Sequence, residues 1–188
     1  EKERGDLRGG VLGALEREGW RRGGASGAAD KRRSVIRAAR NERPAHAVAA
    51  DVLAMQDRLF WTEGVERGIV EEGDLTFGEN GIGLWQGDIT RLAVDGIVNA
   101  ANRGLLGCFL PGHNCIDNVI HSAAGMQLRD DCAKLIAAQG SEEECGHCKI
   151  TRPANLPPRY VLHTVGPLTP RPVTAPDRGL LPSRHSAR

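Results

Sequence analysis

Two segments near the start of the chain place apolar residues at helical spacing. They are Val35, Ile36 and Ala39 within 31–41, and Val48, Val52, Leu53, Leu59 and Phe60 within 45–61. Pro44 separates the two helices this predicts. Residues 115–138 carry the clearest stripe, through Ile116, Ile120, Ala123, Leu128, Cys132, Leu135 and Ile136. It predicts one long helix, with Gly140 as its stop. Ile82–Leu84, Gly96–Val98 and Tyr160–Val165 read as short strands, with Gly87-Asp88-Ile89-Thr90 as the turn region between the first two. This βαβ rhythm predicts an α/β layer fold with a largely parallel sheet. Residues 1–30 are rich in Gly, Arg and Glu and read as disordered; Val11, Leu12 and Leu15 allow at most one short helix. Residues 64–80, Gly-rich and acidic, read as a linker. Residues 167–188 hold five of the ten prolines and show no amphipathic period, so a disordered tail is expected there.

Composition then removes several classes of function. A chain of 188 residues suits one domain. A net charge of +1 leaves no basic footprint for nucleic acid, and 4% aromatic residues leave few surfaces for base stacking. No apolar run approaches the length of a membrane span, and no secretory hydrophobic segment is visible. Five cysteines without a targeting signal point to a reducing compartment, and the expected location is the cytoplasm.

Two of those thiols and one imidazole fall in Cys108-Phe109-Leu110-Pro111-Gly112-His113-Asn114-Cys115, a C-x4-H-x-C pattern between a predicted strand and a predicted helix. Three such ligands can hold one zinc ion and leave its fourth position open, which separates a catalytic zinc from a structural one. Spacing alone leaves a second reading standing, in which both thiols are small buried hydrophobes and His113 is a loop histidine. A Cys108–Cys115 disulfide is discounted, because the cysteine count is odd and no signal peptide is seen.

The flanking motifs decide between these readings. In order they are Gly87-Asp88-Ile89-Thr90, Val94-Asp95-Gly96-Ile97-Val98-Asn99-Ala100-Ala101-Asn102, Leu105-Leu106-Gly107-Cys108, Cys115-Ile116-Asp117-Asn118-Val119-Ile120-His121, Ser122-Ala123-Ala124-Gly125, and Tyr160-Val161-Leu162-His163-Thr164-Val165-Gly166-Pro167. The series resembles the macrodomain family, the ADP-ribose-binding α/β modules. The C-F-x-P-x-H-x-C insert resembles its zinc-containing branch, which hydrolyses ADP-ribose from modified proteins. The resemblance covers about residues 81–167. A weaker likeness reaches back to about residue 31, where Arg43-Pro44 and Met55-Gln56-Asp57 look like that branch's helical N-terminal extension. It implies a three-layer α/β/α fold with a mixed, largely parallel sheet and the C-terminal half missing. The expected division is disorder over 1–30, a helical extension over 31–63, a linker over 64–80, a partial macrodomain over 81–167, and a disordered tail over 168–188.

The same resemblance implies removal of ADP-ribose from protein side chains, with one zinc per chain on Cys108, His113 and Cys115. Asp88 would accept from the adenine amino group and Ile89 would offer its backbone N–H. Asn102 would face the distal ribose, Asn99 would shape the pocket, and Cys108, Ile116 and Asp117 would complete the ADP-ribose contacts. Asp117 and Asn102 would be catalytic, with Asp117 orienting or deprotonating the attacking water. Read without the family, Asp88 caps a turn, the asparagines belong to a turn, and Asp117 is a first-turn acid favoured by the helix dipole. His121, four residues after Asp117, reads as structural. Cys145-Gly146-His147-Cys148 lies too close in sequence for all its donors to meet one ion on an extended strand. The implied partners are ADP-ribose, ADP-ribosylated protein and a sirtuin-like ADP-ribosyltransferase. A non-catalytic ADP-ribose reader, a structural zinc module and an inactive truncated fragment remain as alternatives.

Overall fold

The computed structural model describes residues 2–20 and 29–167. Three helices come first: α1 (Lys2–Arg17), α2 (Ala29–Glu42) and α3 (Ala50–Arg67). The last two stand where the apolar spacing predicts them, on either side of Pro44. The first corrects the expectation of disorder over 1–30; residues 21–28 and the tail from 168 lie outside the described residues. The glycines of α1 argue against a helix on propensity alone, at about 1 kcal/mol each. Tertiary burial outweighs them. Val11, Leu12, Ala14 and Leu15 pack on Ile36 and Ala39 of α2, Val52 of α3, and Met126, and a buried aliphatic contributes about 2 kcal/mol. One glycine is itself a contact: a Cβ on Gly10 would sit 2.5 Å from the sulfur of Met55. Arg8, almost wholly buried, donates to Glu63 Oε1 at 2.6 Å and ties α1 to α3.

The expected linker is partly ordered. After α3, β1 (Val70–Glu71) pairs in parallel with β2 (Leu92–Ala93). The strand expected at Ile82–Leu84 does not form, and Leu84 is 99% exposed. Two apolar side chains around a glycine specify no register and no partner, and a strand needs both.

The larger sheet runs β3 (Gly96–Ala101), β5 (Tyr160–Val165), β4 (Cys148–Thr151) across its width. β3 and β5 are parallel, with Asn99 opposite His163; β4 is antiparallel to β5. The sheet is therefore mixed, as expected. Alternation sends Ile97, Asn99, Val161 and His163 inward and leaves Val98, Ile150 and Tyr160 exposed on the other face. The inner face is covered by α4 (Ile116–Ala124) and α5 (Met126–Gln139), with Ile120, Ala124 and Leu128 packed on Ile97 and Val161.

These two helices replace the single helix expected over 115–138. Gly125 at φ +101° ends α4, in a region that side chains rarely adopt. Gln56 of α3 enters the break and accepts from Met126 N at 3.0 Å, which starts α5. The apolar stripe crosses the break unbroken, so periodicity does not register it.

Candidate functional site

Asp117 sits in the first turn of α4, below the carboxyl end of β3. It is only 5% exposed. Asn99 Nδ2 donates to its Oδ1 at 2.8 Å and Asn102 Nδ2 to its Oδ2 at 3.2 Å. Burial pushes the Asp117 carboxyl up from its ordinary range; the Asn99 hydrogen bond, the Arg129 charge and the Asn102 hydrogen bond pull it back. Asn102 also donates to Gly107 O at 3.0 Å and accepts from Gly104 N at 3.0 Å, so its amide is locked at the mouth of the loop that follows β3. Asn99 is fully buried within β3, behind Asp117. The structure thus gives it a place beneath the carboxylate, where the family resemblance implied pocket wall.

The loop from β3 to α4 brings Cys108, His113 and Cys115 together, with donor atoms all within 4.8 Å of one another. Cys108 Sγ and His113 Nδ1 are 3.6 Å apart. Two donors on one tetrahedral zinc are separated by about 3.5 Å when the bonds are about 2.0–2.3 Å. The three residues therefore fit that ion in donor type, with the Cys108–His113 pair at the separation zinc requires and the Cys115 sulfur within 4.8 Å of both. Cys115 also caps α4, its sulfur accepting from Asn118 N at 3.4 Å, and burial pushes its thiol up. The cap is thus a thiol, and Asp117 is the acid of the first turn. Ile116, the first residue of α4, is exposed.

Asp88 does not follow a strand. It caps the 3-10 turn Ile89–Arg91 that leads into β2, its Oδ1 accepting from Thr90 N at 3.0 Å and Thr90 Oγ1 at 2.7 Å. Its other oxygen lies 3.5 Å from Arg67 Nη1. Asp88 lines a cleft of about 260 Å3 with Arg33, Arg37 and Arg40 of α2 and Phe60 and Arg67 of α3. Cys108, His113 and Cys115 are not among the residues that line it. Ile89 is half-buried against the core of the sheet.

A second trio, His121, Cys132 and His163, also brings its donor atoms within 4.8 Å, and all three are buried. Asn99 Nδ2 already donates to Asp117, and its other hydrogen faces His163 Nδ1 at 3.1 Å. His163 is then the tautomer with a proton on Nε2, which lies 3.0 Å from Thr151 Oγ1. Burial takes its pKa down to about 4. His121 is lowered well below its ordinary value by burial and by His163; its Nε2 lies 3.5 Å from Asp117 Oδ1, with no hydrogen bond among the described residues. Cys132 is pushed up to about 12, chiefly by burial. His163 belongs to a sequence motif that gave it no role; its inward position in an alternating strand is the signal that could have found it. Arg129 carries no signal in the sequence at all. It donates to the carbonyls of Arg40, Asn41 and Arg43 at the end of α2, and its guanidinium lies 4.3 Å over the ring of Phe109. Of the Cys145–Cys148 group, His147 is exposed beside Glu143, and these donors do not gather as the two trios do.

The chain is similar in sequence and in fold to known proteins. The family model described as Macro domain matches residues 98–183. A Protein-ADP-ribose hydrolase of Staphylococcus aureus (strain MSSA476) is 47% identical over 150 residues, which is 78% of this chain and 56% of that protein. One from Treponema medium is 42% identical over 162 residues, 84% of this chain and 62% of that protein. The chain thus spans little more than half the length of the curated relatives it matches. Among solved structures, the Trypanosoma brucei macrodomain superposes with a TM-score of 0.54 at 28% identity, over 79% of this chain and 62% of that one. The same macrodomain in complex with ADP-ribose gives 0.52 at 26% identity, over 79% and 64%.

Proposed function

Since the chain belongs to the macro domain family, we propose that it binds ADP-ribose and takes part in its hydrolytic removal from modified proteins, with one zinc on Cys108, His113 and Cys115. The observation that carries this reading is the junction of β3 and α4. There a carboxylate held by two amides stands two residues from one thiol of a three-donor cluster. Zinc bound at such an open site supplies a Lewis acid and a water of pKa about 7.

The chain's own residues do the remaining work. Asn99 and Asn102 fix the two oxygens of Asp117, so the carboxylate cannot rotate away from the loop. Asp117 orients the water that attacks the distal ribose carbon. Asn102, just past the end of β3, has both amide hydrogens committed and offers the remaining lone pair of its amide oxygen to a ribose hydroxyl. Asp88 keeps one oxygen that lies 3.5 Å from Arg67 Nη1, and this oxygen receives the adenine amino group. Modified protein is the substrate class, and a sirtuin-like ADP-ribosyltransferase fits as the enzyme that writes the mark.

A second reading is favoured by one number. Asp117 is 5% exposed, which suits a residue that shapes a binding site without turnover. Titration calorimetry of ADP-ribose into zinc-loaded protein, with zinc assayed on the same sample, tests the shared part. Micromolar binding with about one zinc per chain is expected; absence of ADP-ribose binding sinks both readings. Release of ADP-ribose from a modified protein then separates hydrolase from reader.

A further inference from the structure

The metal loop has little of its own to hold it. Residues 108–115 form no helix or strand, Phe109 and Leu110 are exposed, and Gly112 turns at φ +67°. Three ligands on a free loop must be ordered each time an ion arrives, and that ordering is subtracted from metal affinity. In this structure the backbone of the loop is instead held from outside, by α2. Arg37 Nη2 donates to His113 O at 2.8 Å, and Asn41 Oδ1 accepts from Gly112 N at 2.9 Å. The two residues are four apart, on a face of α2 opposite to the one that Ile36 and Ala39 bury in the helical core.

The same pair also reaches the loop through Asn118. This fully buried amide donates to Cys108 O at 3.2 Å and to Leu110 O at 3.0 Å. Its oxygen accepts from Arg37 Nη2 at 3.0 Å and from Ser122 Oγ at 3.1 Å. Asn41 Nδ2 in turn donates to Ser122 Oγ at 3.0 Å. Every hydrogen-bonding position of Asn118 is thereby used, and α2 closes the network on two sides. The carbonyls of Cys108 and His113, two of the three ligand residues, are both fixed by it.

We infer that α2 belongs to the metal centre, with Arg37 and Asn41 as positioning residues that hold the Cys108–Cys115 loop in its ligand-bearing form and set its affinity for zinc. The inference rests on the zinc reading above. Side chains that orient metal ligands from outside typically change metal affinity 10–100-fold when removed.

The test is competition for zinc between the full chain and a chromophoric chelator, alongside melting in the metal-free state. Arg37→Ala and Asn41→Ala are expected to bind zinc roughly tenfold more weakly than the wild type. Arg37→Lys, which keeps a donor nitrogen, recovers part of the loss. Arg33→Ala, on the same helix but paired with Glu63 at 3.4 Å, leaves affinity unchanged. Amide exchange at Gly112 in the metal-free protein should quicken in Asn41→Ala. If Asn41→Ala fails to fold, the half-buried Arg37 variants still decide the matter. Zinc on the wild type with unchanged affinity in the Arg37 variants overturns this inference alone. A wild type that takes up no zinc overturns it together with the zinc reading.

Discussion

Two trios of His and Cys donors lie around α4, with their donor atoms equally close but their surroundings different. Cys108, His113 and Cys115 come from one loop, are partly open to solvent, and sit on a backbone held by the side chains of Arg37, Asn41 and Asn118. His121, Cys132 and His163 come from α4, α5 and β5, and all three are buried. In the buried trio His163 has both nitrogens engaged, and the Cys132 thiol is pushed up to about 12. A metal ligand must be deprotonated and free to turn its lone pair to the ion. Proximity of donors therefore does not make a site; freedom of their lone pairs does.

That contrast can be broken in four ways. The largest effect is on metal content. Cys108→Ala and His113→Ala should abolish stoichiometric zinc, while Cys132→Ala should keep it; a Cys132 variant that loses zinc with the loop ligands intact would falsify the assignment. Next is turnover. Asp117→Asn keeps the shape but faces the donors of Asn99 and Asn102 with another donor, and should lower hydrolysis about 10²–10⁴-fold with the zinc still bound. A variant as active as the wild type would leave Asp117 without a chemical role.

The third concerns acid. His163 has a folded pKa of about 4 against an ordinary 6.5. Between those values the unfolded chain takes up a proton that the folded chain refuses. Stability is therefore fully present above about pH 6.5 and is lost as the pH falls towards 4, by about 3 kcal/mol. His121 acts in the same direction. Urea unfolding across this range should show the slope, and His163→Gln should flatten it. The smallest effect is Thr151→Val, which removes the partner of His163 Nε2 and should cost about 1 kcal/mol of stability without altering zinc affinity.

Much of the site is legible in the amino-acid sequence. The loop cysteines and His113 sit within eight residues, and so their meeting needs only one turn at Gly112. Asp117 follows at a helix start for the reason that acids favour that end. What is not legible depends on contacts far apart in the chain. Arg37 and Asn41 look like the polar face of an ordinary helix, and nothing local says that this face meets α4. Arg129 looks like one more exposed charge on α5, yet its guanidinium caps the end of α2. Ile82–Leu84 has the composition of a strand but finds no partner, and α1 has the composition of a flexible segment but finds a core.

The sequence by itself determined what is periodic or local: helices α2 and α3 around Pro44, the positions of β3 and β5, and the cluster of donors on one loop. Each of these follows from spacing along the backbone, which any stretch of chain carries with it. Tertiary structure decided the rest. Burial made α1 a helix despite its glycines, and the side chain of Gln56 entering at Gly125 divided one apolar stripe into two helices. It also set Asn99 and His163 side by side across two parallel strands, where their hydrogen bonds fix a tautomer and the position of Asp117. These outcomes are set by which surfaces meet, and their energies come from desolvation and from hydrogen bonds between residues up to 98 positions apart.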